Sequence, residues 1–116
     1  MDSKKLTELI SEHIFSKKGY DVRILDLRKL TTIADYFIIC SADSDTQVKA
    51  IADEVTEKLK EDGIKCWQKE GYTSLNWVLL DYVDVVVHIF KHESRLFYGL
   101  ERLWGDAPAI EVEDPL

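Results

Sequence analysis

Apolar residues fill the stretch from residue 77 to residue 90, interrupted only by Asp81, Asp84 and His88, and many of them are β-branched or aromatic. This pattern predicts two strands, Trp77–Asp81 and Asp84–Phe90, joined by a tight turn at Tyr82-Val83. Neither turn residue readily adopts the positive φ that two-residue hairpin turns favour. A longer loop would change the pairing of the strands, but successive side chains within each strand would still point to opposite faces of the sheet.

The predicted hairpin has one aliphatic face and one mixed face. The aliphatic face contains Val78, Leu80, Val85, Val87 and Ile89. The mixed face contains Trp77, Leu79, Asp81, Asp84, Val86, His88 and Phe90. A two-residue turn would place Asp81 opposite Asp84 and Trp77 opposite His88. A core face would exclude two aspartates and a solvated face would be polar, so the mixed face is expected to contact a partner.

Two earlier segments have apolar residues at intervals of three and four and are therefore predicted to be helices. The first runs from residue 3 to residue 18, with Ser3 as the expected N-cap and Gly19 as the expected left-handed stop. The second begins at a capping box formed by Ser44 and Gln47 and ends near Gly63.

A third helix is predicted to open at His92 or Glu93 and to stop at Gly105. Its apolar stripe, which we expect to lie in the core, contains Leu96, Phe97, Leu100, Leu103 and Trp104. Further strands are predicted over residues 21–27, 35–40 and 64–70.

This order of elements predicts an α/β fold with a mixed five-stranded sheet and helices mainly on one face. The two strands on either side of the second helix imply at least one parallel pair. Residues 1–107 are expected to form a single domain, and residues 108–116 an acidic flexible tail that contains both prolines.

The composition narrows the classes of function. A net charge of −7 disfavours nucleic acid as the main contact, because phosphate binders gather lysine and arginine. No apolar run reaches membrane-spanning length and the first residues lack a signal-peptide pattern, so we expect no membrane contact and a cytoplasmic location. Cys40 and Cys66 lack zinc-binding spacing and are expected to be free thiols in a reducing compartment.

Four blocks in order resemble the ribosomal silencing factor family, which is also called the Iojap-like family. They are Asp35–Ser41, Gln47–Asp53, Trp77–Phe90 and Arg95–Ala107, within a match from about Leu6 to Ala107. The resemblance implies a homodimeric protein with a nucleotidyltransferase-like fold. It also implies binding to the large ribosomal subunit through ribosomal protein L-fourteen, which obstructs joining of the small subunit and represses translation. The chain departs from the family pattern at Val83, where glycine is usual, and at Ala42 and Thr46, where glycine and arginine are common.

The candidate partner-binding residues come from the hairpin and the third helix: Trp77, Leu79, Asp81, Tyr82, Asp84, His88, Arg95, Tyr98 and Glu101. The aspartates would attract a basic protein, and the apolar members would anchor it. Trp77 could instead pack in the core of the monomer or dimer. A homodimer could use either the open sheet face or the third helix.

The alternative function is a nucleotidyltransferase-like, metal-dependent enzyme, for which Asp43 and Asp45 are the candidate carboxylates. Ala42 stands where such an enzyme would need a glycine, and helix capping explains both aspartates. A metal site from Asp84, His88 and His92 would need residues from more than one element. We therefore expect no enzymatic activity and no cofactor.

Overall fold

The computed structural model describes residues 1–115. Its elements in chain order are α1 (Ser3–Ser16), β1 (Tyr20–Asp26), β2 (Tyr36–Ala42), α2 (Asp45–Glu61), β3 (Gln68–Glu70), β4 (Trp77–Asp81), β5 (Val85–Lys91), α3 (His92–Tyr98), α4 (Leu100–Leu103) and β6 (Ala109–Val112). The strands form one sheet in the order β3-β4-β5-β2-β1-β6. The β2–β5 pair is parallel and the other pairs are antiparallel. The predicted α/β class and mixed sheet are confirmed.

The helices α1 and α2 cover one face of the sheet and form the larger core with its aliphatic residues. Their buried residues include Leu6, Ile10, Ile14, Val48, Ile51, Val55 and Leu59. The predicted cap Ser44 accepts a hydrogen bond from the Gln47 amide at 3.2 Å. At α1 the N-cap is Asp2 rather than Ser3, since the Asp2 carboxylate accepts from the Lys5 amide at 2.8 Å. The left-handed residue after α1 is Lys18 rather than Gly19.

The predicted count of five strands is wrong by one. Ala109–Val112 pairs antiparallel with β1, with Ile110 opposite Ile24 and Val112 opposite Val22. Without this pairing, β1 would present an unpaired edge along its whole length. Both prolines lie outside β6, and the Pro108 carbonyl accepts from the Asp26 amide at 2.8 Å. Part of the segment expected to be a flexible tail therefore belongs to the sheet.

The β4–β5 hairpin has a longer turn than predicted. Trp77 pairs with Phe90, Leu79 with His88 and Asp81 with Val86, so the register differs by two residues from the expected one. Because the shift is even, every strand residue stays on the predicted face. The aliphatic face packs in the larger core, as expected.

The third helix is broken into α3 and α4 by Gly99, which has a φ of 61°. Only the last part of the predicted apolar stripe approaches the sheet: Leu100 and Trp104 pack against the smaller core on its second face. Leu96, Phe97 and Leu103 are 83%, 79% and 77% exposed, so the expectation that they lie in the core is wrong. One continuous helix would have placed all five residues of the stripe on the same face. The left-handed residue Gly99 interrupts the helix, so these side chains no longer share a face.

Candidate protein-binding surface

A patch of aromatic and aliphatic side chains lies at one corner of the sheet's second face. It consists of Trp77, Leu79, Phe97 and Tyr98, and is called the Trp77 surface below. The Trp77 and Tyr98 ring centroids are 5.0 Å apart, and those of Phe97 and Tyr98 are 5.2 Å apart. Phe97 and Tyr98 are exposed, whereas Trp77 and Leu79 are half-buried. Amphipathic aromatics in this setting are typical of protein interfaces.

Two neighbouring elements build this surface. Alternation along β4 places Trp77 and Leu79 on the second face of the sheet. The chain passes directly from β5 into α3, which brings Tyr98 beside the Trp77 indole. Beneath it, the Trp77 ring stacks on Phe90 at 4.9 Å, and Phe90 is fully buried. The inner side of the surface is therefore rigid core, and the outer side is accessible.

Acidic and polar groups border the Trp77 surface along β3 and β4. Asp81 follows Leu79 on the same face of β4. The exposed residue Glu70 pairs with Leu79, and Gln68 pairs with Asp81. Glu70 and Phe97 were not among the predicted partner-binding residues. The pairing register of β3 with β4 places Glu70 beside Leu79, and the helix break at Gly99 leaves Phe97 exposed.

The two aspartates of the hairpin have different structural roles. The Asp81 carboxylate accepts a hydrogen bond from the Val83 amide at 2.7 Å and thereby holds the turn. Asp84 is exposed, and its backbone carbonyl accepts from the Asp35 amide at 2.8 Å. Charge at Asp81 can therefore be tested cleanly only with a substitution that keeps this acceptor.

Two of the predicted contact residues are buried and cannot touch a partner directly. Tyr82 is 7% exposed and packs in the larger core, and this burial raises the pKa of its hydroxyl. His88 is 3% exposed and lies under Trp77, whose indole Nε1–H donates to His88 Nδ1 at 3.1 Å. Burial lowers the pKa of His88 to about 3. The sequence places His88 on the correct face, but the covering by Trp77 and Phe37 depends on tertiary packing.

Arg95 and Glu101, which were expected to be free for a partner, bind each other. Arg95 Nε donates to the Glu101 carboxylate at 2.7 Å, and a second ion pair joins Glu101 to Arg23 on β1. Arg95 also donates to the Asp21 carbonyl at 2.6 Å. Hydrogen bonds from Arg95 and Arg23 hold the pKa of the Glu101 carboxyl below its usual range. These residues tie α3 and α4 to the sheet.

The carboxylates of the alternative enzymatic interpretation have structural partners. Asp43 accepts a hydrogen bond from the Tyr20 hydroxyl at 2.5 Å, and Asp45 forms an ion pair with Lys91 at 2.7 Å. Within residues 1–115, no three His, Cys, Asp or Glu side chains are grouped so as to hold a metal ion. Asp84, His88 and His92 are therefore not brought together. None of the helices in the same range has the length and apolar composition that crossing a bilayer requires.

Comparison with known sequences places the chain beside ribosomal silencing factors. The family described as "ribosomal silencing factor during starvation" matches residues 1–116. The ribosomal silencing factor of Halalkalibacterium halodurans is 42% identical over 113 residues, covering 97% of each chain. That of Bacillus subtilis is 40% identical over 113 residues, covering 97% of this chain and 96% of its own. Iojap from Zea mays chloroplasts is 42% identical over 98 residues, which span 82% of this chain and 41% of that protein.

Solved structures agree with the sequence comparison. A crystal structure of a Chromobacterium violaceum protein has a TM-score of 0.88 and 38% identity, covering 100% of this chain and 92% of the other. One of a Bacillus halodurans protein has a TM-score of 0.84 and 37% identity, covering 95% and 100%. Sequence and fold therefore agree over nearly the whole length of the chain, which belongs to the ribosomal silencing factor family.

Proposed function

We propose that this protein is a ribosomal silencing factor of the cytoplasm that binds the large ribosomal subunit through ribosomal protein L-fourteen. In the bound state it sterically blocks joining of the small subunit and so represses translation. The observation that carries the proposal is the Trp77 surface, an accessible aromatic patch on a rigid base in a chain of this family. Steric obstruction requires a complementary surface and no chemical turnover, so no cofactor is needed.

Charge complementarity supports a basic protein as the partner. The chain carries a net charge of −7, and Asp81 and Glu70 lie beside the apolar centre of the surface. Ribosomal proteins are generally rich in lysine and arginine, so these carboxylates would speed the encounter and select a basic partner. The half-buried Trp77 and Leu79 would supply most of the affinity, because large anchors near the centre of an interface dominate binding.

The experiment is co-sedimentation of the purified protein with isolated large ribosomal subunits. Trp77→Ala is expected to weaken binding by about 30-fold, equivalent to about 2 kcal/mol. The control is Ile110→Ala, which removes an exposed apolar side chain from β6 at the opposite edge of the sheet. Subunit joining, followed by light scattering, should recover in parallel with the loss of binding.

Two results would contradict the proposal. One is a folded Trp77→Ala variant that co-sediments and blocks joining as well as the wild type does. The other is an equal loss of binding in Ile110→Ala.

To identify ribosomal protein L-fourteen as the partner, that protein should be purified alone and tested for direct binding. Asp81→Asn, which removes the charge but keeps the acceptor for the Val83 amide, should slow this association at low salt.

We also propose that the free protein forms a homodimer. Leu96 on α3 and Leu103 on α4 are both strongly exposed apolar side chains outside the Trp77 surface. Large apolar side chains exposed to this degree on neighbouring short helices are typical of a contact with another protein. A symmetric dimer would cover the same side chains on both copies.

A further inference from the structure

His88 is a buried polar residue whose side chain makes one hydrogen bond within the described part of the chain. It lies in the middle of β5 against Phe37, at a ring-centroid distance of 4.6 Å, and below Trp77 at 5.8 Å. Its Nδ1 accepts from the Trp77 indole at 3.1 Å, while its Nε2 is buried without a hydrogen-bond partner among the described residues. An apolar ring would fill this position without leaving a polar atom unsatisfied. The histidine is therefore not explained by packing alone.

The direction of the bond determines the protonation state of the imidazole. Because Nδ1 accepts, the proton of the neutral ring lies on Nε2. An imidazolium would carry a proton on both nitrogens and would turn an N–H toward the indole N–H. Burial lowers the pKa of His88 to about 3, so the ring stays neutral and Nδ1 remains an acceptor at physiological pH.

Trp77 is the residue that benefits from this acceptor. Stacking on Phe90 constrains the plane of the indole, since the two rings are inclined by 27°. Stacking does not determine which edge of the indole points inward, because both ring flips present a similar flat surface. The bond to His88 distinguishes the two flips and turns the Nε1 edge toward the core. The opposite edge is then presented at the Trp77 surface.

We propose that His88 is the positioning residue that holds the indole of Trp77 in the one orientation that the protein partner contacts. This inference rests on the proposed function for the identity of the partner. The orientation itself is a property of the free protein and can be measured without the ribosome.

The first test compares His88→Phe with His88→Asn in the free protein. Phenylalanine keeps a ring without an acceptor, whereas the Asn side-chain oxygen, like Nδ1, is bonded to Cγ and restores an acceptor near the same place. The readout is the NMR signal of the Trp77 indole Nε1–H, assigned by its loss in Trp77→Phe. We expect a shifted signal and at least tenfold faster hydrogen exchange in His88→Phe, with partial rescue in His88→Asn. His92→Phe is the matched control, since His92 is exposed and its ring lies near Tyr20.

The second test measures co-sedimentation of the same variants with isolated large ribosomal subunits. We expect about tenfold weaker binding for His88→Phe, and stronger binding for His88→Asn than for His88→Phe. If His88 acts only through Trp77, the double variant His88→Phe with Trp77→Phe should bind no more weakly than Trp77→Phe alone.

An unchanged indole signal and exchange rate in a folded His88→Phe variant would overturn the inference, as would additive losses in the double variant. If His88→Phe does not fold, His88→Asn decides the question. Because this variant keeps an acceptor, we expect slow exchange of the indole proton, and fast exchange would overturn the inference. Failure of the wild-type protein to bind large subunits would instead overturn the proposed function. The exchange measurement would then still determine whether His88 orients Trp77.

Discussion

At the scale of single residues, the second face of the sheet separates accessible side chains from those that lie beneath and support them. Trp77 and Leu79 are accessible, while His88 lies directly beneath and Phe90 lies deeper still. Alternation cannot distinguish these roles, because all four side chains point to the same side of the hairpin. The four side chains differ in how completely α3 and the neighbouring strands bury them.

Burial of His88 predicts a specific dependence of stability on pH. The pKa of an exposed histidine in the unfolded chain is about 6.5, and that of folded His88 is about 3. Below pH 6.5 the unfolded state therefore binds a proton that the folded state does not, and stability falls as the pH is lowered. Between pH 7.5 and pH 5.5 we expect this residue to lower the free energy of unfolding by about 1.4 kcal/mol. Urea unfolding of the wild type at both pH values measures the change.

The same measurement on His88→Phe isolates the contribution of His88. This variant should lose about 1.4 kcal/mol less than the wild type over the same interval, because it has no imidazole to protonate. The interval ends above the range in which the carboxylates titrate, so the ion pair of Glu101 contributes little. Equal losses in the two proteins would show that His88 is not held neutral by burial.

At the scale of elements, the β4–β5 turn combines a stabilising and a destabilising feature. The Asp81 carboxylate holds the Val83 amide at 2.7 Å, which favours a compact turn. Val83, however, has a φ of 72°, a conformation that is costly for a β-branched residue. Its side chain is 58% exposed, so packing contributes little stabilisation to offset this backbone strain.

Val83→Gly is therefore expected to stabilise the protein by about 1 kcal/mol, because glycine adopts a positive φ without a steric penalty. Chemical denaturation with urea gives the difference in the free energy of unfolding. Val83→Ala is the matched control, since it removes the β-branch but keeps Cβ and should stabilise less. A loss of stability in Val83→Gly would mean that the backbone at residue 83 is not strained. Binding to large subunits should be unaffected if the turn lies outside the contact.

At the scale of the whole molecule, the two faces of the sheet have unequal cover. Two helices of 14 and 17 residues cover one face, whereas the short helices α3 and α4 protect the other only partly. The ion pairs of Glu101 with Arg95 and Arg23 anchor these short helices, and their large apolar side chains remain exposed. The second face of the sheet is therefore the less protected of the two.

We expect the wild-type protein to sediment as a dimer at micromolar concentration. The combined substitutions Leu96→Glu and Leu103→Glu should shift it to monomer, because burying the new carboxylates in a symmetric contact would be costly. Analytical ultracentrifugation over a range of concentrations measures the equilibrium. Ile110→Glu is the control, since it adds charge at an exposed apolar position on the opposite edge of the sheet. A wild type that is monomeric at all concentrations, or a double variant that stays dimeric, would contradict this prediction.

Local patterns in the sequence determined the faces of β4 and β5, the positions of α1 and α2, and the parallel pair across α2. They sufficed because the period of a strand or helix depends on neighbouring residues alone. For the same reason Trp77 and Leu79 could be recognised from the sequence as candidates for the protein-binding surface. The four motif blocks in turn were enough to recognise the family.

Tertiary structure alone decided which residues cover one another. The pairing of β6 with β1, the position of Glu70 beside Leu79 and the burial of His88 each join segments that are remote in the sequence or depend on an exact register. The exposure of Phe97 follows from one left-handed residue, Gly99, which a periodic pattern does not reveal. Strand pairing and side-chain burial depend on how all strands and helices pack together. They are therefore determined only when the whole chain folds.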